Sequence, residues 1–207
     1  MVFGSVLGGT GVAHASATKI PKGFLLTEAK ARKVIPPPLD DEEWWKISDK
    51  PSLQFDLNPC STKGKPRDGR VAIRTITHLT SAPSVSGEQL VLYRNATSAK
   101  AVLAKLRAEL KRCSRGSYWY SAKALSVGDE AVSVTGHAYT KGKIDKTMPP
   151  TMWAVARRGS AVFFYSDFAD RGDRHGRLLG DRALRKALAG DAKKMAKKVC
   201  DLPGVCG

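Results

Sequence analysis

Residues 88–113 constrain the fold of this 207-residue chain more than any other stretch. They open with Glu-Gln-Leu-Val-Leu-Tyr-Arg, an apolar run of strand length. The following segment places Val102, Leu103, Leu106, Leu110 and Cys113 three or four residues apart. That spacing puts them on one face of a helix, so a strand leads into a helix whose apolar stripe is suited to pack on a sheet. Asn95 to Ser98 supply helix-capping side chains, and Lys111 and Arg112 suit the negative end of the helix dipole. Asn95-Ala96-Thr97 also matches a glycosylation sequon, but a cap accounts for it here.

The flanking segments add strands. Residues 53–57 and 71–79 alternate apolar and polar side chains, as half-buried strands do. Residues 61–69, 80–87 and 136–150 read as loops, the first and last of them basic. Strands are expected at 131–134, 152–157 and 161–165, the last two joined through Arg158-Gly159-Ser160 as a hairpin. Leu184, Leu188, Ala192, Met195 and Val199 keep helical register toward Cys200. Gly190-Asp191 allows either one helix or a stop followed by a new cap. The expectation is one α+β domain over residues 46–207, a mostly antiparallel sheet packed by helices. Residues 18–45 read as an irregular arm, with Pro36-Pro37-Pro38 extended. Trp44-Trp45 either anchor this arm on the body or form a carbohydrate platform, and anchoring fits better because large aromatics bury the most area.

The first seventeen residues carry no Lys, Arg, Asp or Glu, and Ala15-Ser16-Ala17 has the pattern of a secretory cleavage site. Residues 1–17 are therefore read as a signal peptide and the protein as secreted. No other run approaches the roughly 20 apolar residues of a membrane span. Export fits the four cysteines, Cys60, Cys113, Cys200 and Cys206, as two disulfides. Three pairings are possible; proximity in sequence favours Cys200–Cys206 and leaves Cys60–Cys113. No C-x2-C or H-x3-H pair supports a metal site, and no cofactor motif is present.

Catalytic signatures are equally scarce. The chain lacks G-x-S-x-G, H-E-x-x-H and a phosphate-binding G-x-x-x-x-G-K. Asp173-Arg174-His175 offers a base and an orienting acid without a nucleophile to serve, and Arg171-Gly172-Asp173 is a tripeptide that a charged loop produces by chance. The formal net charge is +16, a field that draws anionic partners. Residues 61–74 alone hold five Lys/Arg against one acid.

The order of these features resembles a known family. Pro-Cys after a strand is followed by E-Q-L-V-L-Y-R and a helix reading A-x-L-x-x-L-x-x-x-L-x-x-C. Val-Gly-Asp-Glu-Ala at 127–131, an A-R-R-G-S-A hairpin at 156–161 and a terminal helix ending in two cysteines complete the order. This is similar to the extracellular sensor domain of PknH-type bacterial serine/threonine kinases and their free-standing actinobacterial relatives. The resemblance spans about residues 20–206. It implies an α+β domain with two disulfides and a cleft, and a non-enzymatic, ligand-binding role. It transfers only the four cysteines. Unlike the kinases, the chain has no kinase domain and no membrane span. The expected partner is an unknown small molecule or cell-envelope component. The alternatives are a basic protein binding an anionic polymer or the envelope, and an unrecognised hydrolase. A cleft beside the sheet is expected, walled by Tyr118, Trp119 and Tyr120, with Arg157 and Arg158 at the hairpin tip for an anionic group.

Overall fold

Leu90, Val91, Leu92 and Tyr93 are all fully buried. Consecutive strand residues point to opposite faces, so such a run requires a sheet covered on both sides. The computed structural model, which describes residues 17–34, 43–80, 84–168 and 179–206, has that architecture. Its elements are α1 (Glu28–Val34), β1 (Glu43–Ser48), β2 (Arg70–Thr80), β3 (Ser84–Tyr93), α2 (Ala96–Arg112), β4 (Tyr118–Ala124), β5 (Glu130–Thr140), β6 (Lys143–Ile144), β7 (Thr151–Arg158), β8 (Ala161–Phe168) and α3 (Asp181–Lys198). A 3-10 turn, Val199–Asp201, follows α3. The strands form one antiparallel sheet ordered β1-β2-β3-β8-β7-β5-β4, with β6 paired to β5.

Alternation sorts the core into two layers. Leu90, Leu92, Ala154, Ala156, Phe163 and Tyr165 pack with α1 and α3 on one face. Val91, Tyr93, Val155, Val162 and Phe164 pack with α2 on the other. The stripe on α2 is the expected one: Val102, Leu103, Leu106 and Leu110 are buried, joined by Ala99. Asn95 caps the helix, its side chain accepting from the Ser98 N–H at 2.8 Å. Leu106→Ala and Leu110→Ala are each expected to cost about 2 kcal/mol in urea denaturation. That is the low end for Leu→Ala, because Leu106 borders an open groove into which neighbours can relax. A loss below about 0.5 kcal/mol at both positions would be incompatible with this packing.

Two disulfides, Cys60–Cys113 and Cys200–Cys206, join the expected cysteines. The first ties the loop before β2 to the C-cap of α2. The second closes the turn after α3, against which the β7–β8 hairpin tip rests. Gly159 turns that hairpin at φ +55°, and a Cβ there would stand 1.6 Å from the Val205 carbonyl oxygen. Only glycine fits both demands.

Several expectations are corrected. Residues 18–45 are not uniformly irregular, because Glu28–Val34 is helical and β1 begins at Glu43. Ile20, Phe24 and Leu25 are buried in the same core as the sheet. Residues 53–57 form no strand. The buried Gln89 side chain takes their backbone groups instead, accepting from the Asp56 N–H at 3.2 Å and donating to the Gln54 carbonyl at 3.1 Å. β3 begins at Ser84 rather than Glu88, and β5 continues through Thr140 where a loop was expected. There Gly136 makes room for two rings, since a Cβ would meet Trp153 at 2.9 Å and Tyr120 at 3.1 Å. α3 runs unbroken through Gly190-Asp191. The segment read as a signal peptide, apart from Ala17, falls outside the described residues, as do Pro36-Pro37-Pro38, the 171–173 tripeptide and His175. No helix among the described residues is long and apolar enough to cross a membrane.

Candidate functional site

On one face of the sheet α1 packs over β1 and β2, while α3 packs over β7 and β8. Between the two helices lies a cleft of about 330 Å3. Strand register builds its floor: Ile76 of β2 pairs with Glu88 of β3, and Glu88 pairs with Tyr165 of β8. The three side chains therefore stand in a row across three strands. His78 and Ser86, also register partners, form the next row. Trp45, Leu26 and Leu188 add apolar walls, and Asp191 and Lys194 of α3 close one rim with an ion pair at 3.1 Å.

Glu88 is 3% exposed and fully engaged. Its carboxylate accepts from the Leu26 N–H at 2.7 Å, the Thr27 N–H at 2.8 Å, the Thr27 hydroxyl at 2.6 Å and the Tyr165 hydroxyl at 2.7 Å. It thus fastens the two residues that lead into α1 to the sheet, and through Thr27 it meets one backbone donor that a helix leaves open at its N-terminus.

Trp45 stacks on His78 with ring centroids 4.1 Å apart, and its indole N–H donates to Glu43 at 3.0 Å. Trp45 is thus the anchor expected of the tryptophan pair, whereas Trp44 is 37% exposed. The bonds from Lys30 and then Trp45 hold the Glu43 carboxyl below its ordinary value. His78 Nδ1 lies 3.4 Å from the Ser86 hydroxyl, and His78 Nε2 lies 3.0 Å from Glu43. Serine, imidazole and carboxylate therefore stand in series. The hydroxyl contact is long for a hydrogen bond, and Glu43 divides its charge between Lys30 and His78.

The residues expected to wall a cleft are elsewhere. Tyr118, Trp119 and Tyr120 belong to β4, the edge strand farthest from β1. Tyr118 is 41% exposed, and its ring lies over that of Tyr120 at 5.9 Å. Tyr120 leans toward Trp153 at 6.3 Å, and burial, with a smaller push from Tyr118, raises its hydroxyl to about 12. Trp119 meets His137 on the opposite face, as alternation requires. Arg157 and Arg158 lie at the other end of the sheet. Register matches Tyr120 to Gly136 and Gly136 to Thr151, six residues from Arg157, or about 20 Å along the strand. Both arginines are engaged: Arg157 with Asp129 at 2.9 Å and Glu130 at 3.2 Å, Arg158 with Asp129 at 2.7 Å. They clip the hairpin to the Val-Gly-Asp-Glu turn.

The sequence reading missed Glu88, His78, Ser86 and Tyr165 as a group. One signal was present: Glu88 shares strand parity with Leu90 and Leu92 and so had to face an apolar layer.

No protein-family model and no curated protein matches the sequence. The fold does have a counterpart. The extracellular domain of PknH from Mycobacterium tuberculosis matches with a TM-score of 0.52, covering 86% of this chain and 97% of that one. Identity is 12%, so the likeness is one of fold. It agrees with the architecture expected from the order of motifs.

Proposed function

We propose that the protein is an exported, sensor-like module that binds a small, partly apolar ligand in the cleft between α1 and α3 without transforming it. The carrying observation is the composition of that cleft. Trp45, Ile76 and Leu188 supply apolar walls, while His78, Ser86 and Lys194 supply a few polar groups. Small-molecule sites have this make-up. The buried acid at its floor, Glu88, already accepts four hydrogen bonds and is occupied in holding the structure. The fold shared with an extracellular domain and the two disulfides support an exported setting.

A second reading rests on Ser86, His78 and Glu43. If Ser86 and His78 close to a tighter contact around a substrate, they make a nucleophile and base, and the cleft is that of a hydrolase.

Two substitutions at one residue separate the readings. Ser86→Ala removes the hydroxyl and leaves the cleft open; Ser86→Trp fills it. The screen is thermal shift against lipids, glycans and peptidoglycan fragments, at low and high salt, with turnover of ester probes followed in parallel. Binding without chemistry predicts a compound that stabilises at both salts, is retained by Ser86→Ala and is lost by Ser86→Trp. Ester turnover abolished by Ser86→Ala establishes the hydrolase instead. Stabilisation that survives Ser86→Trp removes the ligand from this cleft.

A further inference from the structure

A second concavity lies on the opposite face of the sheet, between the 54–70 loop and α2, with a volume of about 310 Å3. Its floor is apolar, made by Leu57, Val102 and Leu106. Its rim is strongly basic: five cations line it against two carboxylates, Asp68 and Glu109. Both acids are already engaged. Asp68 is gripped by Arg70, whose Nε lies 2.8 Å away, and Glu109 faces Lys105 at 3.8 Å and Arg112 at 4.0 Å. Lys63, Lys65 and Arg67 are exposed and have no ion-pair partner among the described residues.

The loop that carries them is irregular but fixed. The Cys60–Cys113 disulfide holds one end of it to α2. Asn58 and Thr62 close a turn through three hydrogen bonds, and the Gln54 side chain donates to the Gly64 carbonyl. Arg70 lies over the Phe55 ring at 4.6 Å and donates to the Leu53 carbonyl at 2.6 Å. Ser61, Gly64 and Gly69 take positive φ values of 48°, 90° and 79°. Unneutralised like charges repel, and a free loop would let them spread. Here the staple and the bonded turn hold three of them along one rim, which lowers the ordering cost of meeting an anion.

From this arrangement we infer that the groove between the 54–70 loop and α2 is a binding site for a flexible polyanion, whose phosphate or carboxylate groups pair with Lys63, Lys65 and Arg67. It is separate from the α1–α3 cleft and does not depend on the function proposed for it.

The test uses the full chain with polyphosphate, polyglutamate and inorganic phosphate as probes, followed by fluorescence titration over a range of salt. The loop variant carries Lys63→Gln, Lys65→Gln and Arg67→Gln. A control removes the same charge from α3 through Lys186→Gln, Lys193→Gln and Lys197→Gln, which are exposed and lie away from the groove. All six positions are on the surface, so both variants are expected to fold, and unchanged unfolding curves check this. Wild type is expected to bind a polymer at about 50 mM salt, with affinity falling steeply as salt rises. The loop variant should lose at least about tenfold in affinity and flatten the log–log salt slope by about two, the loss of three contacts. The control should lose less than about threefold. Polyphosphate alone, or polyglutamate as well, tells whether phosphate or any anionic oxygen serves. Equal losses in the two variants would mean bulk charge and overturn the site, as would absence of polymer binding by wild type. So would inorganic phosphate competing as well as the polymer at equal phosphate concentration, because linked charges gain from a multivalent site.

Discussion

Replacing Cys60 and Cys113 together by alanine is expected to lower the unfolding free energy by about 4 kcal/mol. The bridge closes 53 residues, enclosing β2, β3 and the whole of α2. In the chain-entropy view its removal acts mainly by enlarging the unfolded ensemble. Cys200–Cys206 closes only six residues, and its loss should cost about 2 kcal/mol. Guanidinium denaturation of the two double variants under non-reducing conditions measures both. The ordering matters more than either value. If the short bridge proved the costlier to lose, its packing on the hairpin tip at Gly159, and not chain entropy, would be the dominant effect.

The next largest loss is expected at Arg74, about 3 kcal/mol for Arg74→Met at neutral pH. This guanidinium grips Asp49 through two bonds, of 2.7 and 2.8 Å, and lies 3.3 Å from Glu28. It also donates to the Pro21 carbonyl at 2.6 Å. Glu28 is completely covered, but Arg32 and the Leu25 N–H would still bond its carboxylate, so the cost belongs at the low end for a broken buried pair. Burial pushes the Glu28 carboxyl up. Bonds from the Gly23 N–H, Arg32 and the Leu25 N–H, with the charge of Arg74, outweigh it and hold the carboxyl below its ordinary value of 4.5. The Arg74 bond is the leading cause of the same effect at Asp49, whose ordinary value is 3.8. A carboxyl lowered in the folded state contributes its full stability above its ordinary value and loses it as pH falls through the folded one. Wild type should therefore weaken below about pH 4.5, and the deficit of the variant should shrink over the same range. A deficit independent of pH would show that Arg74 acts through packing of its stem alone.

How much of this was readable in advance depended on where each signal resides. The β3–α2 unit and the β7–β8 hairpin were legible because their patterns are local. Runs such as Leu90 to Tyr93 and Ala161 to Tyr165, short, apolar and bounded by turn residues, read as strands, and the α2 stripe repeats over about three turns. α1 was hidden, since seven residues hold too little periodicity and its stability comes from Glu88 and Arg74, distant in sequence. The alternation at residues 53–57 was real, as Leu53, Phe55 and Leu57 do pack on the sheet, but Gln89, bonding the Asp56 N–H and the Gln54 carbonyl, stands in place of a neighbouring strand. The cleft was beyond reach for a related reason. Ile76, Glu88 and Tyr165 lie on three strands and meet only through register, which no single segment encodes.

That row has a kinetic meaning. β1, β2 and β3 follow one another as a meander, as do β4, β5, β7 and β8 apart from the short β6, and the sheet becomes whole only where β3 meets β8. The Tyr165–Glu88 bond across this seam links residues 77 apart. Contacts of such long range are the slowest to gain from loop closure, so the seam is expected to form late in folding. The cleft straddles it. A molecule lodged there would touch both halves of the sheet and act as a rivet, lengthening the lifetime of the folded state while leaving the rate of its formation almost unchanged.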